Sequence, residues 1–241
     1  MYDELADYYH LIYADWDSAI CRQSECLSEV LRASFRNSKM SIHDMTCGIG
    51  TQIIGLVQRG YKCTGSDLSR ASILRAQREL DARGLSCNLF QADMRRLPEL
   101  DSPPDVIISC DNSITHLPSK VDMIECLSNC HRQASQGVLL TVRDYAGLDR
   151  TKVFHPYGKR VFGEEVFFLF QHWVFGEHYY DVEFFIVKDV NDSVSVKKFV
   201  DRFYLHTVAD IISCCIEAGF TNTAVVDSEY HQPIIVARGR G

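Results

Sequence analysis

Residues 40–51, which read Met-Ser-Ile-His-Asp-Met-Thr-Cys-Gly-Ile-Gly-Thr, decide the fold of this chain. A short apolar segment from Ile42 to Met45 leads into a Cys47-Gly48-Ile49-Gly50 turn, and a helical pattern opens at Thr51. The order strand, glycine turn, helix is typical of a Rossmann-type fold, because glycine permits a sharp turn and lets a ligand approach the backbone. A glycine-rich turn by itself is common and often only structural.

The following unit strengthens this interpretation. Residues 61–67 predict a second strand that ends in Asp67, 17 positions after Gly50. An acid at the tip of the second strand is where a Rossmann-type fold accepts hydrogen bonds from ribose hydroxyls. The two units together predict an adenosine-binding site. Because the turn lacks the full Gly-x-Gly-x-x-Gly, a nicotinamide-dependent oxidoreductase is disfavoured.

The composition places the chain among globular proteins and excludes several classes of partner. Its 241 residues, 46% hydrophobic and 24% charged, suffice for one α/β domain with a sizeable core. A net charge of −7 and a pI near 5.7 argue against a nucleic-acid partner, because phosphate binding requires a basic surface. No apolar run is long enough for a membrane span, and the acidic start has no signal-peptide pattern. We therefore expect a cytoplasmic protein with no membrane partner.

The ten cysteines do not predict a metal or disulfide framework. They are scattered along the chain and include no Cys-x-x-Cys pair. The only suggestive cluster, Cys126-x3-Cys130-His131, lacks the four ligands that a structural zinc site normally has. We therefore expect free, reduced thiols and no metal.

Strands and helices alternate along most of the chain. Amphipathic patterns predict helices over residues 3–14 and 17–35, ahead of the first strand. The apolar run at residues 105–111 is typical of a central parallel strand covered on both faces, and another strand is predicted at 137–145. The remaining predicted elements are helices at 51–59, 70–82, 119–132 and 207–218 and strands at 86–91, 221–227 and 232–238.

The alternation is interrupted between Tyr145 and Thr207, where the sequence becomes aromatic and β-rich. Residues 166–175, 179–190 and 194–205 predict three consecutive antiparallel strands. No flexible linker flanks this stretch, so we expect it to cover the mouth of the ligand cleft rather than to form an independent domain.

Several motifs carry a resemblance to a known family. They are Tyr9-His10-Leu11-Ile12-Tyr13-Ala14-Asp15-Trp16 with Arg22-Gln23, Asp44-x-x-Cys47-Gly48-x-Gly50-Thr51, Gly65-Ser66-Asp67-Leu68-Ser69, Ala92-Asp93-Met94-Arg95, Asp111-Asn112-Ser113-x-x-His116, Val142-Arg143-Asp144-Tyr145 and Gln232-Pro233-Ile234. On these motifs the chain resembles a class I S-adenosylmethionine-dependent methyltransferase, with most likeness to the glycine and sarcosine N-methyltransferase group. The likeness covers nearly the whole chain and is more specific for the cofactor than for the substrate.

The resemblance implies a seven-stranded Rossmann-like methyltransferase sheet with helices on both faces and an inserted antiparallel β lid between strand five and the last helix. The single domain would comprise an N-terminal helical cover (1–36), a core (37–145 and 207–241) and the insert (146–206). We expect a small-molecule partner that bears a carboxylate; a homo-oligomer is left open.

The resemblance also implies how the cofactor S-adenosylmethionine would be held. Asp67 would accept hydrogen bonds from both ribose hydroxyls, and Asp93 one from the adenine amino group while Met94 packs on the ring. Arg22 would pair with the cofactor carboxylate. The full set of implied cofactor-binding residues is Tyr9, Arg22, Thr46, Gly48, Asp67, Leu68, Asp93, Met94 and Asp111.

Three further residues, Asn112, Arg143 and His116, match acceptor-side or catalytic positions of the family. Arg143 would clasp the carboxylate of an amino-acid substrate, with Asn112 beside it; the competing reading is an ion pair of Arg143 with Asp144 or Asp111. For His116, satisfaction of backbone groups behind the site competes with proton transfer. For Asp111 the alternative is that it merely ends the strand and binds no ligand.

The predicted reaction is methyl transfer to an amine nitrogen, which needs a neutral nitrogen held in line and water kept out. If the acceptor pocket is too closed for a second molecule, the alternative is intramolecular cyclisation of the cofactor to a four-membered cyclic amino acid and methylthioadenosine. A non-catalytic adenosine-binding module is a further alternative. One departure from the family is His43, which stands where an apolar strand residue is usual and predicts a polar contact in that strand.

Overall fold

The computed structural model describes residues 1–36, 40–191 and 193–239. The helices are α1 (Tyr2–Leu5), α2 (Trp16–Ser34), α3 (Thr51–Gln58), α4 (Arg70–Ala82), α5 (Lys120–Gln133) and α6 (Val208–Glu217), with short 3₁₀ helices at Tyr9–Ile12, Met94–Arg96 and Ser113–His116. The strands are β1 (Ser41–Asp44), β2 (Lys62–Asp67), β3 (Asn88–Gln91), β4 (Val106–Ser109), β5 (Gly137–Thr141), β6 (Phe154–Phe162), β7 (Glu165–Phe175), β8 (Tyr179–Val190), β9 (Ser193–Tyr204), β10 (Asn222–Val226) and β11 (Ile234–Arg238). The predicted core limits at residues 37 and 241 lie outside the described residues.

The seven-stranded sheet has the order β3-β2-β1-β4-β5-β11-β10, with β11 antiparallel to both of its neighbours. The predicted α/β fold class is therefore confirmed. Strands β4 and β5 are wholly buried because helices cover both faces of the sheet. Ile107 packs towards α5 and α6, whereas Val106 and Ile108 pack towards α2 and α3.

A separate four-stranded antiparallel sheet, β6-β7-β8-β9, is formed by the inserted segment. The prediction of three strands was wrong by one, since β6 was missed. Pro156 and Gly158 interrupt its pattern, and the register with β7 shifts between them. Proline has no backbone N–H to donate to a neighbouring strand. It is tolerated in β6 because β6 is an edge strand with only one neighbour, β7.

Two other predicted elements differ from the structure. The segment 3–14 is not one helix but α1 followed by a 3₁₀ turn, and the exposed Asp3 and Asp7 bond to Ser69, the cap of α4, and to Arg78 of α4. Strand five ends at Thr141 instead of 145, and the following residues leave the sheet. None of the described helices is long and apolar enough to cross a membrane.

Candidate active site

Two adjoining cavities open at the carboxyl edge of the parallel strands. The larger cavity, about 500 Å³, is lined by the glycine turn and the segments after β2, β3 and β4. The smaller cavity, about 300 Å³, lies between the N-terminal segment, the loop after β5 and the antiparallel sheet. Six residues line both, namely Met1, Tyr2, Tyr9, Tyr13, Asp111 and Phe203. A ligand in one cavity would therefore lie against a ligand in the other.

The glycine turn is tied to the end of β2. The Gly48 backbone has a φ of +52°, a conformation that glycine adopts without strain, and an added Cβ there would meet nothing within 4 Å. Its N–H donates to Asp67 Oδ2 at 2.9 Å, and the N–H of Cys47 donates to the carbonyl of Ser66 at 3.0 Å. The turn thus leaves open space above Gly48 while Asp67 is held at its side.

Asp67 keeps hydrogen-bonding capacity for a ligand. Each of its carboxylate oxygens accepts one backbone donor, Gly48 N on Oδ2 and Ser69 N on Oδ1, at 2.9 and 2.8 Å. A carboxylate oxygen can accept about two hydrogen bonds, so each has one site left for a hydroxyl. Burial raises the pKa of Asp67, and these N–H donors oppose that shift. A pair of neighbouring ribose hydroxyls fits this arrangement.

The larger cavity is also lined by Asp93 and Met94, at the start of the 3₁₀ helix after β3. Asp93 accepts a bidentate ion pair from Arg95, whose hydrogen bond lowers the pKa of that carboxyl. An acid and a thioether side chain that line the same cavity as Asp67 suit the polar rim and the flat face of a purine. With the open space above Gly48, the residues present fit S-adenosylmethionine.

Asp111 lies where the two cavities meet, and it accepts three side-chain hydrogen bonds and has His231 close by. Tyr13 and Gln52 donate to Oδ2 at 3.1 and 2.9 Å, while Tyr230 donates to Oδ1 at 3.0 Å and His231 Nε2 lies 3.3 Å from Oδ1. Burial opposes ionisation of Asp111, but the bonds from His231, Tyr230 and Gln52 outweigh it and hold its pKa below the ordinary value.

The backbone at Asp111 and Asn112 has φ of +53° and +69°. Asp and Asn tolerate this left-handed conformation better than most residues, so the chain can turn sharply after β4. The turn directs Asp111 to the junction of the cavities and Asn112 into the smaller one. The predicted strand at 105–111 therefore ends at Ser109.

A closed hydrogen-bond circuit holds Arg143 in the smaller cavity. Arg143 N donates to Asn112 Oδ1 at 2.8 Å, and Asn112 Nδ2 donates to the Tyr145 hydroxyl at 2.7 Å. The Tyr145 and Tyr180 hydroxyls lie 2.9 Å apart, and Arg143 Nη1 donates to Tyr180 at 3.1 Å. The guanidinium also lies 4.7 Å from the Trp173 ring centroid. Within the described residues no carboxylate is in ion-pair reach of Arg143, so its remaining donors are available to a ligand.

His116 lines the larger cavity, but both of its ring nitrogens have protein partners. Nε2 lies 3.0 Å from the Tyr2 hydroxyl, and Nδ1 lies 2.9 Å from the carbonyl of Arg202 in β9. Burial lowers the pKa of His116, despite the nearby Asp201. This environment favours the structural reading of His116, in which it joins the N-terminal segment to the antiparallel sheet.

The predicted cofactor residues Tyr9, Thr46, Gly48, Asp67, Leu68, Asp93, Met94 and Asp111 line the larger cavity, and Asn112 and Arg143 line the smaller one. Arg22 is exposed on α2 and lines neither. Its neighbour Gln23 instead contacts Gln52 and Tyr230. Among the described residues no group of three or more His, Cys, Asp or Glu is arranged to hold a metal ion.

Sequence reasoning missed Gln52, Tyr230 and His231 as site residues. Gln52 lies two positions after Gly50 of the glycine turn, and this short separation in sequence could have indicated that it lies near the site. Tyr230 and His231 precede β11, which runs antiparallel to the central strands. The start of such a strand lies at the same edge as the carboxyl ends of its neighbours, and this topology was the available signal.

Comparisons with known proteins agree with this geometry. Residues 42–137 match the family model described as a methyltransferase domain. The chain is 30% identical over 141 residues to a putative methyltransferase, YqeM, of Bacillus subtilis strain 168, which covers 58% of this chain. The chain spans about half, 51%, of the length of that curated relative.

Solved structures of similar fold include DesVI of Streptomyces venezuelae, with a TM-score of 0.85, 16% identity and 98% of both chains covered. The amino pentose methyltransferase CalS10 of Micromonospora echinaspora has a TM-score of 0.81 at 14% identity, covering 96% of this chain and 94% of its own. The sugar N-methyltransferase KedS8 of Streptoalloteichus has a TM-score of 0.77 at 16% identity, covering 95% and 89%. Family match and fold together support S-adenosylmethionine as the cofactor. Residues 42–137 of this chain are thus similar to a methyltransferase domain, and the chain as a whole has the fold of the S-adenosylmethionine-dependent methyltransferases compared above.

Proposed function

We propose that the protein transfers a methyl group from S-adenosylmethionine to the amine nitrogen of a small molecule. The observation that carries this proposal is the second cavity, which adjoins the cofactor cavity at Tyr9, Tyr13 and Asp111. An amine bound in the smaller cavity can reach the junction while its other groups stay among Arg143, Asn112 and the tyrosines of the antiparallel sheet. The antiparallel insert belongs to the same domain in this proposal, because the smaller cavity is incomplete without β6, β7 and β8.

The bound cofactor supplies an electrophilic methyl group on a sulfonium, which needs no metal. Asp67 and the backbone at Gly48 hold the ribose end, and Asp93 and Met94 bind the adenine. Tyr2, Tyr9 and Tyr13 close the junction from the N-terminal segment and exclude water from the reacting atoms. Tyrosine rings beside the sulfonium also stabilise its positive charge by cation–π attraction.

The acceptor in this proposal is an amino acid or a related carboxylate. Arg143 is the group that selects it, since a planar guanidinium binds a carboxylate through two parallel hydrogen bonds. The circuit through Tyr180, Tyr145 and Asn112 keeps the guanidinium in one orientation. The resemblance of these positions to the glycine and sarcosine N-methyltransferase group supports this choice.

A second acceptor class is an amino sugar. CalS10 and KedS8 are described as an amino pentose and a sugar N-methyltransferase, and their folds match this one over most of the chain. Gln171, Gln232 and Tyr157 line the smaller cavity and suit sugar hydroxyls. The two classes differ in what Arg143 binds, which is a carboxylate in one case and neutral sugar hydroxyls in the other.

The cyclisation alternative required an acceptor pocket that is closed to a second molecule. The structure does not meet that requirement, because a cavity of about 300 Å³ adjoins the cofactor cavity and has room for a second molecule. Methyl transfer is therefore the reaction favoured here. A cytoplasmic location is part of the proposal, because all ten cysteines are unpaired, including the exposed Cys21, as is usual in a reducing compartment.

The test is incubation of the protein with S-adenosylmethionine and a panel of amino acids, amino sugars and small amines without a carboxylate. Product formation is measured as S-adenosylhomocysteine and as a methyl-sized mass gain on the acceptor. We expect S-adenosylhomocysteine with at least one amine. Methylthioadenosine without any acceptor would instead support cyclisation, and neither product with intact cofactor binding would favour a non-catalytic module.

A further inference from the structure

His231 has the environment of a base at the mouth of the smaller cavity. Its Nε2 lies 3.3 Å from Asp111 Oδ1, and its ring lines the cavity beside Gln232. Across residues 1–36, 40–191 and 193–239, its other nitrogen, Nδ1, has no hydrogen-bond partner. The side chain is 52% exposed, so a proton that it receives can pass to solvent.

We propose that His231, oriented by Asp111, accepts the proton that the acceptor nitrogen must lose before it can be methylated. This inference rests on the proposed amine N-methyltransferase function and assigns a residue to its proton transfer. In this proposal the Asp111 carboxylate, 3.3 Å away, accepts a hydrogen bond from the Nε2–H of the neutral His231 ring, which leaves Nδ1 as the basic atom, as in other carboxylate–histidine pairs.

An ammonium acceptor transfers one proton to Nδ1 of His231, and the freed nitrogen lone pair forms the new N–C bond. The C–S bond breaks with its electron pair going to sulfur, so the positive charge passes from sulfur to the methylated nitrogen. His231 then releases its proton to solvent. Since only the neutral nitrogen is nucleophilic, the reaction requires this proton transfer or an amine that binds already neutral.

Comparison with His116 supports the assignment. Both nitrogens of His116 are bonded to Tyr2 and the Arg202 carbonyl, so it has no free basic atom. The other side chains that can ionise and that line the smaller cavity are those of Asp111, Arg143 and five tyrosines, Tyr2, Tyr9, Tyr13, Tyr157 and Tyr180. Burial raises the pKa of each of these tyrosines, and Arg143 is permanently charged. Tyr230, which packs against His231, also has a raised pKa through burial.

The first test needs no acceptor. Proton–nitrogen spectra of the histidine side chains are recorded on the full chain with S-adenosylhomocysteine present, and His231→Gln identifies the resonance. We expect His231 to be the Nε2–H tautomer with Nδ1 unprotonated, and Asp111→Asn to weaken that preference. An Nδ1–H tautomer in the wild type would overturn the proposal.

The second test uses the amine found by the screen above. Gln retains an amide donor for Asp111 but cannot take a proton, so His231→Gln should lower kcat by about 10²–10⁴ at neutral pH. The acidic limb of the kcat profile should disappear, added imidazole should partly restore the rate, and cofactor affinity should be unchanged. The matched control is His178→Gln, which changes an exposed histidine that lines neither cavity and should behave as wild type.

The outcomes distinguish the proposed role of His231 from the proposed N-methyltransferase function. An active wild type with an unchanged kcat profile in His231→Gln means that the amine binds neutral, which overturns the role of His231 and leaves the proposed function standing. A wild type that methylates no amine overturns the proposed function and, with it, the proton-transfer role; the tautomer measurement then reports the Asp111–His231 pair alone.

Discussion

The larger and smaller cavities are built in different ways from one chain. The larger one is formed mainly by short segments that directly follow β1, β2, β3 and β4, so its residues are placed by the parallel sheet. The smaller one collects side chains from residues between 1 and 232, contributed by the N-terminal segment, the loop after β5 and the antiparallel sheet. Local motifs can therefore specify most of the larger cavity, the proposed cofactor site, whereas the smaller cavity, the proposed acceptor site, depends on long-range packing.

The two cavities also position their polar groups differently. In the larger one, backbone N–H groups at Gly48 and Ser69 fix a carboxylate. In the smaller one, side chains fix one another, through the tyrosine circuit around Arg143. Backbone N–H donors remain when a side chain is replaced, as long as the turn keeps its conformation. The circuit around Arg143 is made of side chains, so removal of one tyrosine hydroxyl breaks it. We expect mutations on the two sides to differ accordingly.

The largest expected effect concerns His43, which supports the strands below the larger cavity. It is buried between Thr64 and Ser66 of β2, as the predicted polar contact required, and burial lowers its pKa to about 4. As the pH drops, His43 is protonated in the unfolded chain before it is protonated in the folded protein. The free energy of unfolding therefore falls between about pH 6.5 and pH 4. For a shift of this size the loss is about 3 kcal/mol.

Burial raises the pKa of Asp44 to about 8, so this residue makes the folded state more stable, not less, as the pH falls. The effect of His43 is therefore measured as the difference between wild type and a His43 variant. Urea unfolding at pH 7 and pH 4 should show that His43→Leu loses about 3 kcal/mol less than wild type over this interval. His178→Gln should show the wild-type loss. An equal loss in wild type and His43→Leu would mean that His43 is charged in the folded protein.

The next effect tests the cofactor side directly. Asp67→Ala removes the acceptor for two ribose hydroxyls and should weaken S-adenosylmethionine binding by about 2–3 kcal/mol, measured by calorimetry. Asp67→Asn keeps the size of the side chain and one oxygen, and should lose less. Thermal unfolding of both variants controls for the lost bonds to Gly48 and Ser69. Unchanged affinity in a folded Asp67→Ala protein would remove Asp67 from the cofactor site.

The smallest of the three effects tests the acceptor side. Arg143→Lys retains the charge but not the planar pair of donors, so the KM for a carboxylate acceptor should rise about tenfold, a loss of about 1.4 kcal/mol. Cofactor affinity should stay near wild type. Arg150→Lys is the matched control, since Arg150 also lies over an aromatic ring, that of Phe175, without lining either cavity.

Either of two results would break this comparison. If Arg143→Lys weakens cofactor binding while acceptor kinetics are unchanged, Arg143 serves the larger cavity. If the acceptor lacks a carboxylate and its KM is insensitive to this change, the amino-sugar acceptor becomes the better proposal.

Much of the fold could be predicted because its signals are local. Helix α4 spans the predicted residues 70–82, and the side chain of its N-cap, Ser69, accepts a hydrogen bond from the N–H of Ser72. Strand β6 could not be predicted, since Pro156 and Gly158 conceal a strand that only pairing with β7 stabilises. Arg22 illustrates the same limit at the site, because its place in a motif did not determine which face of α2 it occupies.

By itself the sequence determined the glycine turn, the acid at the end of β2 and the aromatic insert. Periodicity and glycine conformation are properties of neighbouring residues, and they act before any tertiary contact forms. Only the tertiary structure decided that Asp111, Tyr13 and His231 meet at one junction, across separations of 98 and 120 positions in the chain. Such contacts result from the antiparallel course of β11 and the packing of the N-terminal segment, which no local pattern encodes.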